Sequence, residues 1–102
     1  KPWRSMAEAL PSIRGHLDVF QLANADFKIV YIGYAGGREP FGLKSAIETA
    51  RLRCPTAVHL RYEITSSYQT RYRELLMLYQ ASHGKLPQDN SPMRLGRLSP
   101  AS

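Results

Sequence analysis

The run Lys28-Ile29-Val30-Tyr31-Ile32-Gly33-Tyr34 is apolar and rich in β-branched and aromatic residues, and it breaks abruptly. It reads as a strand. Gly33, Gly36, Gly37, Pro40 and Gly42 follow as a loop whose backbone can take positive φ and admit a close neighbour. A helical pattern resumes at Leu43. Strand, glycine loop and helix N-terminus together expose backbone N–H groups, which suits phosphate. The glycine order is Gly-x-x-Gly-Gly rather than Gly-x-Gly-x-x-Gly, and no Gly-Lys-Ser/Thr follows, so a Walker-type loop is excluded. By itself the loop reads first as a flexible connection.

The chain around this junction predicts a small α/β (α+β) domain in the order ββαβα. Leu17 to Ala23 is the first strand, Asn24-Ala25-Asp26 a polar turn, and Phe27 to Tyr34 the second strand. So short a turn makes the two an antiparallel hairpin. Strict alternation puts Ile29, Tyr31 and Gly33 on one face and Val30, Ile32 and Tyr34 on the other. Leu43 to Arg53 is a helix with a stripe of Leu43, Ala46, Ile47 and Ala50, stopped by Pro55. Thr56 to Thr65 is the third strand, with Val58, Leu60, Tyr62 and Ile64 as its apolar face. Ser66 or Ser67 caps a helix running to about His83, with Gly84 as C-cap. Its core stripe is Tyr68, Tyr72, Leu75, Leu76 and Tyr79, broadened by Met77 and Leu78. The expected architecture is a three-stranded antiparallel sheet flanked by helices over residues 13–90. Residues 1–12 form an N-terminal extension with a short Met6–Leu10 helix capped by Ser5 and stopped by Pro11. Residues 91–102, with Pro92 and Pro100, form a flexible tail.

Composition narrows the function. At 102 residues the chain supports one modest core, and 43% apolar content is that of a globular protein. The net charge of +6 favours a polyanionic partner. Half of that excess sits near the ends, at Lys1, Arg4, Arg94 and Arg97; Ile13 to Asn90 holds ten basic against seven acidic residues. The single cysteine, Cys54, excludes an internal disulfide and a cysteine zinc site, and a reducing cytoplasm is the natural setting. No apolar run is long enough to span a membrane. The chain opens on Lys1 without a methionine, so further domains of a larger protein are expected.

The order ββαβα, Tyr31-Ile32-Gly33 on the second strand, and Glu74 followed by Met77 and Leu78 resemble the GIY-YIG nuclease family. Leu10-Pro11 upstream and Asn90 at the end of the core fit the same pattern. The resemblance spans about Leu10 to Asn90. It departs at two places: Asp18-Val19-Phe20 stands where the family has Gly-Ile-Tyr, and Lys44 where a helix arginine is expected. Arginine offers phosphate a planar fork, lysine only a point charge.

The resemblance implies a Mg²⁺- or Mn²⁺-dependent endonuclease acting on DNA, with RNA the alternative. Glu74 would hold one divalent ion, Tyr31 would orient or deprotonate water, and Lys44 would neutralise phosphate charge. Phe20 has no hydroxyl to contribute. Arg38, Lys44, Arg51 and Arg53 would meet the phosphate backbone. Each residue also has a plain structural reading. Tyr31 fits a core, Lys44 and Glu48 have i,i+4 spacing for a surface pair, and Glu74 beside Arg71 and Arg73 fits an ordinary surface acid. His59, with Arg61 and Glu63, reads as a solvated sheet face, and Cys54 as packing. Two further functions stay open: a nucleic-acid-binding module without turnover, and a protein-interaction domain presenting Tyr62, Tyr68, Tyr72 and Tyr79.

Overall fold

The computed structural model describes residues 2–15, 17–36 and 42–90. Strand β1 is Arg4–Ser5, helix α1 Met6–Ala9, β2 Asp18–Ala23, β3 Ile29–Ala35, α2 Gly42–Leu52, β4 His59–Ile64 and α3 Tyr68–His83; a 3-10 turn, Leu10–Ser12, follows α1. All strands join one antiparallel sheet in the order β1-β4-β2-β3. The fold is therefore the expected mixed α/β class, with β2 and β3 forming the expected hairpin and β3 at the sheet edge. Asn24 makes the hairpin turn: its Oδ1 accepts from the N–H groups of Asp26 and Lys28 at 2.9 and 3.0 Å.

The sheet has four strands rather than three, because β1 pairs with the edge of β4, Arg4 opposite Leu60 and Ser5 opposite His59. The segment before Ile13 belongs to the core: Met6, Ala9 and Leu10 are buried, and the Met6 N–H donates to Val58 O at 2.9 Å. A two-residue strand has no period to read; it forms because burying Met6 and Leu10 brings it to the sheet. Ser5 and Ser67 hold the N-cap positions of α1 and α3, yet neither side chain bonds the helix. Gly84 ends α3 as expected, at φ 76°, with its N–H on Gln80 O at 2.8 Å.

Strand β2 is buried along its whole length, with Leu22 between Tyr31 and Leu60, and Phe20 between Gly33 and Tyr62. The register slips by one at Leu22/Ala23, where Tyr31 and Ile29 oppose successive residues and Val30 is the extra one. This bulge breaks the strict alternation expected for β3. It puts Val30 in the same cluster as Phe20, Leu22, Leu43, Ile47 and Leu60. One face of the sheet carries Phe20, Leu22, Leu60 and Tyr31 and packs on α2. The intervening residues Val19, Gln21, Arg61 and Glu63 face α3.

Helix α3 lies on this second face without a single fully buried residue. Tyr68, Tyr72, Leu75, Leu76 and Tyr79 are half-buried, as a stripe on a partly polar face requires. Met77 and Leu78 do not broaden it: they are 68% and 57% exposed. Met77 stands two places after Leu75, about 200° round a helix, and so points away from the sheet.

The outer edge of β3 is closed by the chain after α3. The Asn90 side chain accepts from Ile32 N–H at 3.0 Å and donates to Ile32 O at 2.9 Å, imitating a neighbouring strand. Asp89 N–H adds a bond to Val30 O at 2.8 Å. Both free edge groups of Ile32 are thus satisfied, which removes a template for aggregation.

Candidate functional site

Phe20 and Tyr31 come from neighbouring strands on the face that α2 covers, and their ring centroids lie 6.0 Å apart. Gly33 makes the contact possible, as a Cβ there would stand 2.7 Å from both Phe20 Cζ and Tyr31 Cε2. This glycine lies within β3, inside the strand expected over Phe27 to Tyr34, and serves a close approach of rings rather than the glycine loop. The two rings floor an open cleft of about 260 Å³ whose rim holds Tyr34, Ser45, Thr49 and Arg53. Helix α2 supplies the hydroxyls because its buried stripe, Leu43, Ile47 and Ala50, turns positions between toward the cleft, and Arg53 follows directly after the helix ends at Leu52.

Lys44 sits half-buried in the first turn of α2, outside that lining, and makes no ion pair with Glu48. Arg51 is exposed near the end of α2, and among the described residues Arg53 alone of the expected phosphate contacts reaches the cleft. Arg38 lies outside the described residues.

Glu74 stands elsewhere. Its carboxylate pairs with Arg71, which also donates to Glu63 of β4 at 3.2 Å. These two partners hold the Arg71 guanidinium above its ordinary value, Glu74 contributing most. Around Glu74 the surface is formed by Thr70, Arg73, Met77, Leu78 and Ala81. That surface shares no residue with the cleft at Tyr31. Tyr31, Lys44 and Glu74 therefore do not line one cleft, although one was expected. The reason is tertiary: Tyr31 faces α2, whereas α3 lies across the opposite face of the sheet.

The fit of a divalent ion at Glu74 can be judged from its donors. One exposed carboxylate, engaged by a guanidinium and bordered by Met77, Leu78 and Ala81, does not suit a magnesium or manganese ion, which seeks several oxygens. Among the described residues no three His, Cys, Asp or Glu side chains are grouped to hold a metal.

No protein-family model, no curated protein and no solved structure matches this chain. Function is therefore read from its residues.

Three features escape sequence reading. A small cavity of about 150 Å³ lies between the sheet and α3, lined by Gln21, Arg61, Glu63 and Arg71. In it Arg61 Nε donates to Gln21 Oε1 at 2.9 Å, its guanidinium carbon sits 4.2 Å from the Trp3 ring, and burial pulls its pKa down. Second, Phe27, at φ 60°, stacks on His59 with centroids 4.1 Å apart. Third, Tyr34 meets Tyr68 and Tyr72 of α3 at 5.6 and 4.8 Å. The i,i+4 spacing of Tyr68 and Tyr72 was visible; their meeting with Tyr34 needed the packing of α3 on β3. Cys54 is packing, as expected. Burial, then the charge and hydrogen bond of Asp89, push its thiol up to about 12, which leaves no thiolate for nucleophilic work near neutral pH.

Proposed function

We propose that this chain is a nucleic-acid-binding module related in design to the GIY-YIG domain, without efficient turnover. One observation carries the reading. The cleft beside Tyr31 combines an aromatic floor with the hydroxyls of Ser45 and Thr49 and the guanidinium of Arg53, and among the described residues no carboxylate lines it. Hydroxyls and a cation are donors for phosphate oxygens, while an acid is what a metal-dependent hydrolase would need there. The charge of +6 supports the same partner. DNA is the first candidate and RNA the second. A reducing, cytoplasmic setting belongs to this proposal and draws on the lone buried Cys54. No helix among the described residues is long and apolar enough to cross a membrane.

The test is fluorescence anisotropy with labelled duplex and single-stranded DNA and RNA across a salt series. Affinity should fall steeply with salt, and Arg53→Gln should reduce the slope by about one. Glu74→Gln should bind as the parent does. Salt-insensitive binding, or none, would refute the proposal.

A Mg²⁺-dependent endonuclease is the second reading, favoured by the meeting of Phe20 and Tyr31 at the two motif positions. Supercoiled plasmid with Mg²⁺ or Mn²⁺, against a chelator control, separates the two. Metal-dependent nicking by the parent that is lost in Glu74→Gln would bring the nuclease forward. Phe20→Tyr restores the missing hydroxyl and should then raise the rate.

A further inference from the structure

We infer that the pocket between the β2–β3 turn and the C-terminal end of α3 takes an unpaired nucleobase, so that the module's ligand is a single strand. The inference rests on the nucleic-acid reading above and names its substrate class. The pocket lies on the α3 side of the sheet, apart from the cleft at Tyr31. It is open, holds about 470 Å³, and is lined by Phe27, Lys28, Ile29, Tyr79 and His83. One face of the Phe27 ring stacks on His59, with centroids 4.1 Å apart and 12° between the planes. A stack covers one face only, and Phe27 is still 55% exposed, so its other face is open to the pocket. Tyr79 is backed in the same way by His83, at 4.0 Å and 12°. His83 Nδ1–H donates to the Tyr79 carbonyl at 3.1 Å, which fixes that imidazole at the end of the helix. Two histidines thus hold two aromatic rings in place, and little side-chain freedom remains to be lost on binding.

The hairpin tip also carries costs that the fold does not require. Phe27 has φ 60°, a left-handed conformation that a turn ordinarily gives to glycine or asparagine. The turn closes without its side chain: Phe27 N–H donates to Asn24 O at 2.9 Å, and Asn24 N–H to Lys28 O at 3.0 Å. Beneath the ring, His59 Nδ1 is buried with no hydrogen-bond partner among the described residues. A large ring on strained backbone, over an orphaned nitrogen and more than half in water, is a surface kept for a ligand.

The charge selects that ligand. Lys28 borders the pocket beside Phe27, and among the described residues no ion pair engages it. Aromatic faces next to a cation receive a base and its phosphate, and the net charge of +6 favours this polyanion over a peptide. In a duplex each base face is covered by the next pair, so only an unpaired base can enter. Every base has such a face, and the pocket is indifferent to sequence.

The assay is anisotropy of a short fluorescent oligothymidylate against an abasic strand of equal length and charge. Free thymidine monophosphate and a peptide with one tryptophan between glutamates are competitor arms. The parent should prefer the base-bearing strand by about 5- to 150-fold, the worth of one stacked base. Phe27→Gly gives the left-handed position the residue that suits it, so the variant folds and should bind both strands alike. Lys28→Gln should weaken both strands and reduce the salt slope by about one. Quenching of 2-aminopurine placed in the strand, measured on the parent, tests stacking without any variant. Equal binding of the two strands by the parent, or no quenching, overturns the base site and leaves the nucleic-acid reading standing. So does a Phe27→Gly or Lys28→Gln protein that binds as the parent does. Monophosphate binding as tight as the strand overturns the single-strand assignment, and a peptide that displaces the strand overturns it in favour of a protein partner. Binding of neither strand nor duplex overturns both readings.

Discussion

Replacing Asn90 with alanine removes both hydrogen bonds that close the outer edge of β3, and the cost can be worked from their setting. The partners are the N–H and C=O of Ile32, at 3.0 and 2.9 Å. Ile32 is 1% exposed and Asn90 7%, so water does not readily take the place of the amide. A buried polar group left unpaired costs roughly 1–3 kcal/mol, and two of them about 2–6 kcal/mol. Against a typical total of about 5–15 kcal/mol, that is a large share. In a domain of this size each kcal/mol moves the melting temperature by about 4–8 °C. Thermal and urea unfolding should therefore show a fall of about 10 °C or more, and amide exchange at Ile32 should accelerate. Asn90→Asp adds a pH signature. Aspartate keeps the acceptor for Ile32 N–H but sets a second oxygen against Ile32 O. Burial and that carbonyl raise its folded pKa above the unfolded value of about 4. The variant is then closest to the parent below pH of about 4, where a protonated carboxyl can donate. Its deficit opens as pH rises through the folded pKa. An Asn90→Ala protein within about 0.5 kcal/mol of the parent, well short of the cost of two orphaned groups, would refute the reasoning. So would an Asn90→Asp deficit independent of pH.

Two further outcomes test the core. Gly33→Ala puts a methyl 2.7 Å from ring atoms of Phe20 and Tyr31, one of them fully buried, and should cost about 1–3 kcal/mol in urea unfolding while altering the aromatic circular dichroism; an unchanged protein would show that the two rings yield freely. Cys54 keeps its proton to about pH 12 when folded, against an ordinary 9.0 when unfolded. Its contribution is whole below pH 9.0 and is lost as pH rises toward 12, at up to about 1.4 kcal/mol per pH unit. The alkaline loss should be shallower in Cys54→Ala, and thiol reagents should be slow on the folded parent at pH 8; equal slopes would contradict the assignment.

Most elements were legible because their signals are local. The β-branched run to Tyr34 states a strand, Asn24-Ala25-Asp26 a turn, and Gly84 a helix end, each through the backbone preferences of a few neighbouring residues. That Phe20 and Tyr31 come from neighbouring antiparallel strands was legible too, since so short a turn makes the two strands a hairpin. The bulge at Val30 was not, because nothing in a strand's own composition says which residue its neighbour will skip. Nor was β1, whose two residues gain their place only from the burial of Met6 and Leu10.

By itself the sequence determined the class of fold, the hairpin, the α2 stripe and the presence of a tyrosine, a lysine and an acid at motif spacings. Only the tertiary structure decided which of these share a site. Helical spacing gives an angle about one axis, and placing Glu74 relative to Tyr31 also needs the face of the sheet on which α3 lies. That face was settled by long-range packing: Tyr34 against Tyr68 and Tyr72, and Arg71 against Glu63. These contacts turn Glu74 toward Arg71 and away from the cleft, and they gather three separate tyrosines, Tyr34, Tyr68 and Tyr72, into one ring cluster between β3 and α3.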